Sequence, residues 1–109
     1  MGAISYSSNI IVNVSMLDAF NGIKKILKKQ FYPIQFENKE KNIIIARIEQ
    51  KWLAPAGELI VFDLKEIETN KIEILIFSKD LLNSGVNFNR NVKNVEKFIQ
   101  EINNQLTKK

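Results

Sequence analysis

Short apolar runs separated by polar turns fill the middle of the chain and predict β-strands. The clearest two are Leu59–Leu64 and Ile72–Phe77, which are rich in β-branched residues and flank the polar turn Glu66–Lys71. A second pair, Pro33–Glu37 and Ile43–Gln50, flanks a turn of charged residues and asparagine. Consecutive strands joined by short turns pair with each other in antiparallel fashion. The pattern therefore predicts two successive hairpins.

Apolar residues spaced three and four positions apart predict one helix near each end of the chain. The first helix follows a β-branched strand over Asn9–Val14, has Ser15 as its N-cap and stops at Pro33. The second helix has Asn91 as its N-cap and extends through Leu106. The predicted order is thus β-α-β-β-β-β-α.

This order predicts a single α+β domain over residues 1–109, built as a two-layer sandwich. Two amphipathic helices need an apolar surface to cover, and one face of a five-stranded antiparallel sheet supplies it. The order is similar to that in one half of the TATA-box-binding protein core and to helix-grip proteins. Because side chains alternate along a strand, every second residue is expected on the helix-covered face. These residues are Ile10, Val12, Val14, Ile34, Phe36, Ile44, Ala46, Ile48, Ile60, Phe62, Leu64, Ile72, Ile74 and Ile76.

The opposite face of the sheet is expected to be open to solvent, yet it is not uniformly polar. An open antiparallel face normally carries polar residues. Two interpretations remain open: scattered strand-forming residues, or a contiguous patch for self-association or a protein partner. The predicted interaction surface consists of Ile43, Ile45, Leu59, Val61, Leu75 and Phe77.

The distribution of charge argues against nucleic-acid binding by the sheet. Residues 1–30 hold four Lys and one Asp (+3), and residues 81–109 hold five basic and two acidic residues (+3). Residues 31–80 hold seven basic and nine acidic residues (−2), which gives the formal total of +4. Phosphate neutralisation requires basic residues on the binding surface. The cluster Lys24–Lys29 is expected to be a solvated face near the negative end of its helix.

Composition also limits the chemistry that the chain can perform. The absence of His and Cys removes the commonest general base and the commonest metal ligands. No glycine-rich phosphate loop or calcium loop occurs in the sequence. We therefore expect no enzymatic activity, cofactor or metal. We also expect a cytoplasmic protein, because no apolar run reaches the ~18 residues of a membrane helix.

One segment resembles a signature of small uncharacterised prokaryotic domains. In that signature an Asp-Trp-Gly-Lys-Asn run precedes Asn-Val-Glu, between a strand that ends in Ser and a C-terminal helix. Here Ser78 ends the strand, and residues 88–96 read FNRNVKNVE. The family also tends to carry Trp shortly before Gly-Glu, as Trp52 precedes Gly57-Glu58 here. The resemblance implies no established activity. The candidate ligand or rim residues in these stretches are Trp52, Phe88, Asn91 and Asn94; the structural alternative is that Asn91 caps the helix and that Phe88 and Trp52 only pack against neighbouring residues.

Three functions are compatible with these observations. The leading one is a non-enzymatic binding or assembly module that uses the open sheet face to bind a second copy of itself or another protein. The alternative is a small helix-grip domain that holds an apolar ligand between the C-terminal helix and the sheet. The third, and least favoured, is weak contact of the basic helices with nucleic acid.

Overall fold

The computed structural model of the chain describes residues 5–48, 57–80 and 88–106, with side chains for all of these except 80 and 88–90. Trp52 and the end of the strand predicted over Ile43–Gln50 lie outside the described residues. The elements occur in the predicted order. They are β1 (Ser5–Val12), α1 (Met16–Lys29), β2 (Ile34–Asn38), β3 (Ile43–Ile48), β4 (Glu58–Glu68), β5 (Lys71–Asp80) and α2 (Phe88–Leu106).

The five strands form one antiparallel sheet in the order β1-β5-β4-β3-β2. The hairpin of β4 and β5 supplies the two longest strands and lies near the middle of the sheet. Val61 pairs with Phe77 and Asp63 with Leu75. The N-terminal strand β1 pairs with β5, which brings the first strand of the chain beside the last one. The sheet edges are therefore β1 and β2.

Both helices pack on the same face of this sheet, which confirms the predicted two-layer architecture. A single core lies between the layers, and all but one of the residues predicted for this face are buried or packed against it. The helices contribute apolar side chains at three- and four-residue spacing, as an amphipathic helix requires. The fully or nearly fully buried helical residues of the core are Ala19, Phe20, Ile23, Ile26, Leu27, Val95, Phe98 and Ile102.

Phe36 is the exception, and its predicted position in the core was wrong. The pairing of β2 with β3 shifts between Ile34, which pairs with Ala46, and Phe36, which pairs with Ile45. Gln35 is therefore an extra residue, and such a bulge reverses the alternation of side chains beyond it. Phe36 lies on the open face, while Glu37 lies on the helix side and forms a 3.1 Å salt bridge with Lys24 of α1.

Helix α1 begins as predicted but ends before Pro33. The Ser15 hydroxyl accepts a hydrogen bond from the backbone N–H of Asp18 at 3.1 Å. At the other end, Phe31 N–H donates to the carbonyl of Lys28 and Tyr32 N–H to that of Leu27. These two bonds form a Schellman motif, in which the residue at the position of Phe31 adopts a left-handed conformation. Phe31 has φ 63°, so the chain reverses here without needing the proline.

Several predicted boundaries differ from the structure for local reasons. Strand β1 covers Ser5–Val12 rather than Asn9–Val14, because β5 continues to Asp80 and offers partners back to Ser5. The turn between β4 and β5 is shorter than predicted, since Asn70 takes φ 58° and closes it tightly. The prediction that Asn91 caps α2 was wrong because the helix begins three residues earlier. Neither described helix is long and apolar enough to cross a membrane.

Candidate functional site

The open face of the sheet carries a row of apolar side chains across four strands. Val61 of β4 pairs with Phe77 of β5 on one side and with Ile45 of β3 on the other. Ile45 in turn pairs with Phe36 of the edge strand β2. Paired residues in neighbouring strands project on the same face, with their Cβ atoms about 5 Å apart. We call this row, Phe36–Ile45–Val61–Phe77, the apolar band.

The structure puts all six residues of the predicted interaction surface on this face. Ile43, Ile45, Leu59, Val61 and Phe77 are half-buried by their neighbours, and Leu75 is 42% exposed. Their assignment to one face follows from unbroken alternation in β3, β4 and β5. Their role in binding stays a prediction.

Sequence reasoning missed Phe36, which is the most exposed member of the apolar band. Its side chain is 49% exposed, and it extends the band to the edge of the sheet. Alternation alone cannot reveal this, because a bulge changes the face without changing the composition of the strand. A charged Glu37 fits the open face that unbroken alternation predicts for it, so it carried no signal of the bulge. Its salt bridge with Lys24 shows its actual position on the helix side.

Charged residues of opposite sign border the apolar band. On one side Leu59 pairs with Arg47 and with Lys79, which makes that border basic. On the other side Asp63 lies between Ile43 and Leu75. A shallow cavity of about 230 Å³ opens beside Asp63 and also touches Asn9, Lys65 and Glu73. The band is thus flanked by a basic border and by a more acidic one.

The residues of the family signature meet at the end of the sheet beneath α2. Glu58, Ser78 and Asn91 are fully buried there, and Asn94 is half-buried. The amide of Asn94 donates to Glu58 Oε1 at 3.1 Å and to Ser78 Oγ at 3.2 Å. The Ser78 hydroxyl donates to Asn91 Oδ1 at 2.7 Å. We call these four residues the polar cluster.

The hydrogen bonds of the polar cluster give a structural reason for the polar residues of the signature. Buried polar groups are stable only when they are hydrogen-bonded, and each member here is bonded to another member. The cluster joins β4 and β5 to the first turns of α2. Asn91 and Asn94 are therefore accounted for without a ligand. Their predicted role as ligand or rim residues stays untested, as does that of Trp52 and of the Phe88 side chain, which lie outside the described parts.

Among the described residues, apolar side chains of α2 pack into the space between this helix and the sheet. Phe98 is 1% exposed, and its ring meets that of Phe62 edge-on with centroids 5.2 Å apart. Val95 and Ile102 are fully buried on the same helix. A ligand at this position would have to displace Phe98.

Within the described residues there is also no group of three Asp or Glu side chains placed to hold a metal ion.

Comparison with known proteins gives the fold but no family. No family model and no curated protein matches the chain. Among solved structures it is similar to an uncharacterised protein from Bacillus thuringiensis (TM-score 0.63, 8% identity, covering 90% of this chain and 95% of that one). It is also similar to the Aha1 dimer from Colwellia psychrerythraea (0.66, 11%, 94% and 96%). A third similar structure is the Zhui aromatase/cyclase from Streptomyces sp. R1128 (0.58, 8%, 92% and 93%).

These similarities agree with both the predicted fold and the resemblance to small uncharacterised domains. The neighbours have helix-grip-like folds, and the chain shares that architecture over nearly its whole length. One neighbour is itself an uncharacterised bacterial protein. At 8–11% identity the similarity defines the fold alone, because one fold supports many functions.

Proposed function

We propose that the chain is a non-enzymatic assembly module whose open sheet face binds a second copy of itself. The apolar band carries this proposal, because it crosses four neighbouring strands on the face that the described helices leave uncovered. Apolar surface exposed as a contiguous patch tends to mark an interaction site, whereas isolated apolar residues do not. The dimer described for the Aha1 protein of Colwellia psychrerythraea is compatible with a homodimer here.

The size of the face is sufficient for a dimer. Five strands at ~4.8 Å spacing span about 24 Å, and the eight residues of β1 span about 26 Å. Two such faces together bury roughly 1,200 Å², the lower limit of specific interfaces. If about 600 Å² of this is apolar, burial contributes at most ~15 kcal/mol. Association costs ~4–15 kcal/mol, so the expected dimer is weak and depends on concentration.

The borders of the apolar band make the face complementary to itself. A two-fold axis along the band places each band on its counterpart and turns the basic border of one copy over the acidic border of the other. Asp63 of one copy then lies across from Leu59 of the other, with Arg47 and Lys79 on the strands beside it. An isologous interface requires this kind of complementarity, and it favours a second copy over an unrelated partner.

The decisive experiment is sedimentation equilibrium over a wide range of protein concentration. We expect wild type to dimerise, and we expect Phe77→Lys and Val61→Lys to remain monomeric and folded, because each places a charge inside the interface. Phe36→Lys tests the member of the band that the structure added. Leu17→Lys is the matched control: it replaces a side chain that is 62% exposed on α1, and dimerisation should be unchanged. A monomeric wild type, or variants that dimerise equally well, would contradict the proposal.

A second candidate, ligand binding between α2 and the sheet, is supported by the helix-grip-like folds of the solved neighbours. Native mass spectrometry of freshly purified protein distinguishes the two functions. The assembly module predicts unliganded monomer and dimer masses, whereas a co-purified small molecule favours the ligand site.

The third candidate function, nucleic-acid contact, is tested by filter binding at low salt. Electrostatic binding of nucleic acid is strongest at low salt, and we expect no binding even under that condition.

A further inference from the structure

A cavity of about 830 Å³ opens to solvent on the helix layer, between the second half of α1 and the segment that enters β2. We call it the α1 groove. It is independent of the open sheet face and lies outside the space between α2 and the sheet. Its volume falls in the range of sites for small ligands. The residues that matter for its chemistry are Lys24, Lys25, Lys28, Phe31, Tyr32 and Ile34.

The two walls of the α1 groove differ in chemistry. One wall consists of α1 and presents three lysines, of which Lys25 and Lys28 are exposed and Lys24 is held by Glu37 at 3.1 Å. The interaction of cations with the helix dipole is limited to the last turn, so it accounts for Lys28 but not for Lys25. The α1 wall therefore presents two exposed lysines, Lys25 and Lys28, at the groove.

The opposite wall is apolar and anchored in the core. The centroid of the Tyr32 ring lies 6.0 Å from that of Phe98, and Nζ of Lys97 of α2 lies 5.5 Å from the Tyr32 centroid. Ile34 packs against the core from the same wall. These contacts fix the wall independently of any ligand, so that the groove is preformed.

Phe31 stands at the rim of the α1 groove, just past the helix C-cap, with its side chain largely in solvent. Its side chain is 90% exposed, and its φ of 63° belongs to the region where glycine is normally found at a helix end. The Schellman hydrogen bonds hold the backbone at this φ, where a bulky residue is less favourable than glycine. Strained residues of this kind concentrate at ligand sites.

We propose that the α1 groove binds a small amphipathic anion: an alkyl or aromatic body with one carboxylate or phosphate. The anionic head lies at Lys25 and Lys28, and the apolar body lies along Tyr32 and Ile34 with Phe31 over it. The opposition of a cationic and an apolar wall favours this ligand. Nucleic acid needs cations along its whole length, whereas the α1 groove has lysines on one wall only.

The test uses decanoate, far below its micelle concentration, with isothermal titration calorimetry and amide chemical-shift mapping. We expect one site per chain and shifts confined to residues 21–34. Two control compounds should bind at least tenfold more weakly than decanoate. Acetate has the carboxylate without the alkyl chain, and decyltrimethylammonium has the alkyl chain with the opposite charge. An oligonucleotide should not compete. Equal binding of the cationic amphiphile would overturn the proposal, as would shifts centred on the sheet face.

Matched variants separate the site from overall charge. Lys28→Glu should weaken decanoate binding at least tenfold, whereas Lys29→Glu makes the same charge change one residue away, outside the lining of the groove, and should stay within twofold. Phe31→Gly should weaken binding at least fivefold without lowering the thermal midpoint, because glycine relieves the strain at φ 63°. Equal losses for Lys28→Glu and Lys29→Glu, or full binding by Phe31→Gly, would contradict the assignment. Binding only to vesicles of phosphatidylglycerol would identify a membrane surface instead.

Discussion

At the scale of single residues, the polar cluster is the least replaceable feature of the fold. Glu58, Ser78 and Asn91 are fully buried, yet each is hydrogen-bonded to another member of the cluster. Asn94 is central, because its amide donates to both Glu58 and Ser78. Loss of one member takes a hydrogen bond from a buried polar group, which costs more than the net contribution of that bond to stability.

Asn94→Ala should therefore lower the free energy of unfolding by about 2 kcal/mol, since it leaves two buried oxygens without this donor. The measurement is urea denaturation followed by circular dichroism. Asn104→Ala is the matched control: it makes the same change at an exposed position of the same helix and gains the same helix propensity. If the two variants were equally stable, the polar cluster would not stabilise the docking of α2.

At the scale of elements, the close approach of α1 and α2 depends on a small residue. Gly22 is buried where the end of α2 packs on α1. A Cβ atom at this position would lie 2.5 Å from Cδ2 of Leu106, the last residue of α2. The end of a leucine can move, so a single methyl group is tolerable, but a branched side chain has to displace the helix end.

We expect Gly22→Ala to remain within about 1 kcal/mol of wild type, because a gain in helix propensity offsets the contact. Gly22→Ile should destabilise by about 1–3 kcal/mol through overpacking. In the Leu106→Ala background that cost should fall by about 1 kcal/mol or more, since the obstructing side chain is gone. A double-mutant cycle in urea measures the coupling, and strictly additive effects would show that Gly22 and Leu106 do not limit the approach.

At the scale of the whole molecule, the proposed dimer makes a prediction about charge. With the two-fold axis along the apolar band, Asp63 of each copy lies near Lys79 of the other. Asp63→Lys should weaken dimerisation about tenfold, because it places like charges together across the interface. Adding Lys79→Asp to the same chain restores the opposite charges and should recover most of the affinity. Recovery would support this axis, whereas a further loss in the double variant would rule it out; sedimentation equilibrium provides the measurement.

The sequence by itself determined the elements and the composition of the core. Helical and strand periodicities are set by local backbone geometry, so the apolar positions of α1, β3, β4, β5 and α2 already marked their buried faces. The same alternation put the six predicted residues of the interaction surface on the open face. This part of the fold required no knowledge of which strands are neighbours beyond the hairpins.

The tertiary structure alone decided the features that depend on a partner element. The bulge at Gln35 arises from the pairing of β2 with β3, and only that pairing reveals that Phe36 belongs to the apolar band. Asn94 and Glu58 are 36 positions apart, so their hydrogen bond follows from the docking of α2 rather than from local pattern. The α1 groove likewise forms between two elements. Register, bulges and concave surfaces depend on contacts distant in the chain, and local periodicity carries no information about them.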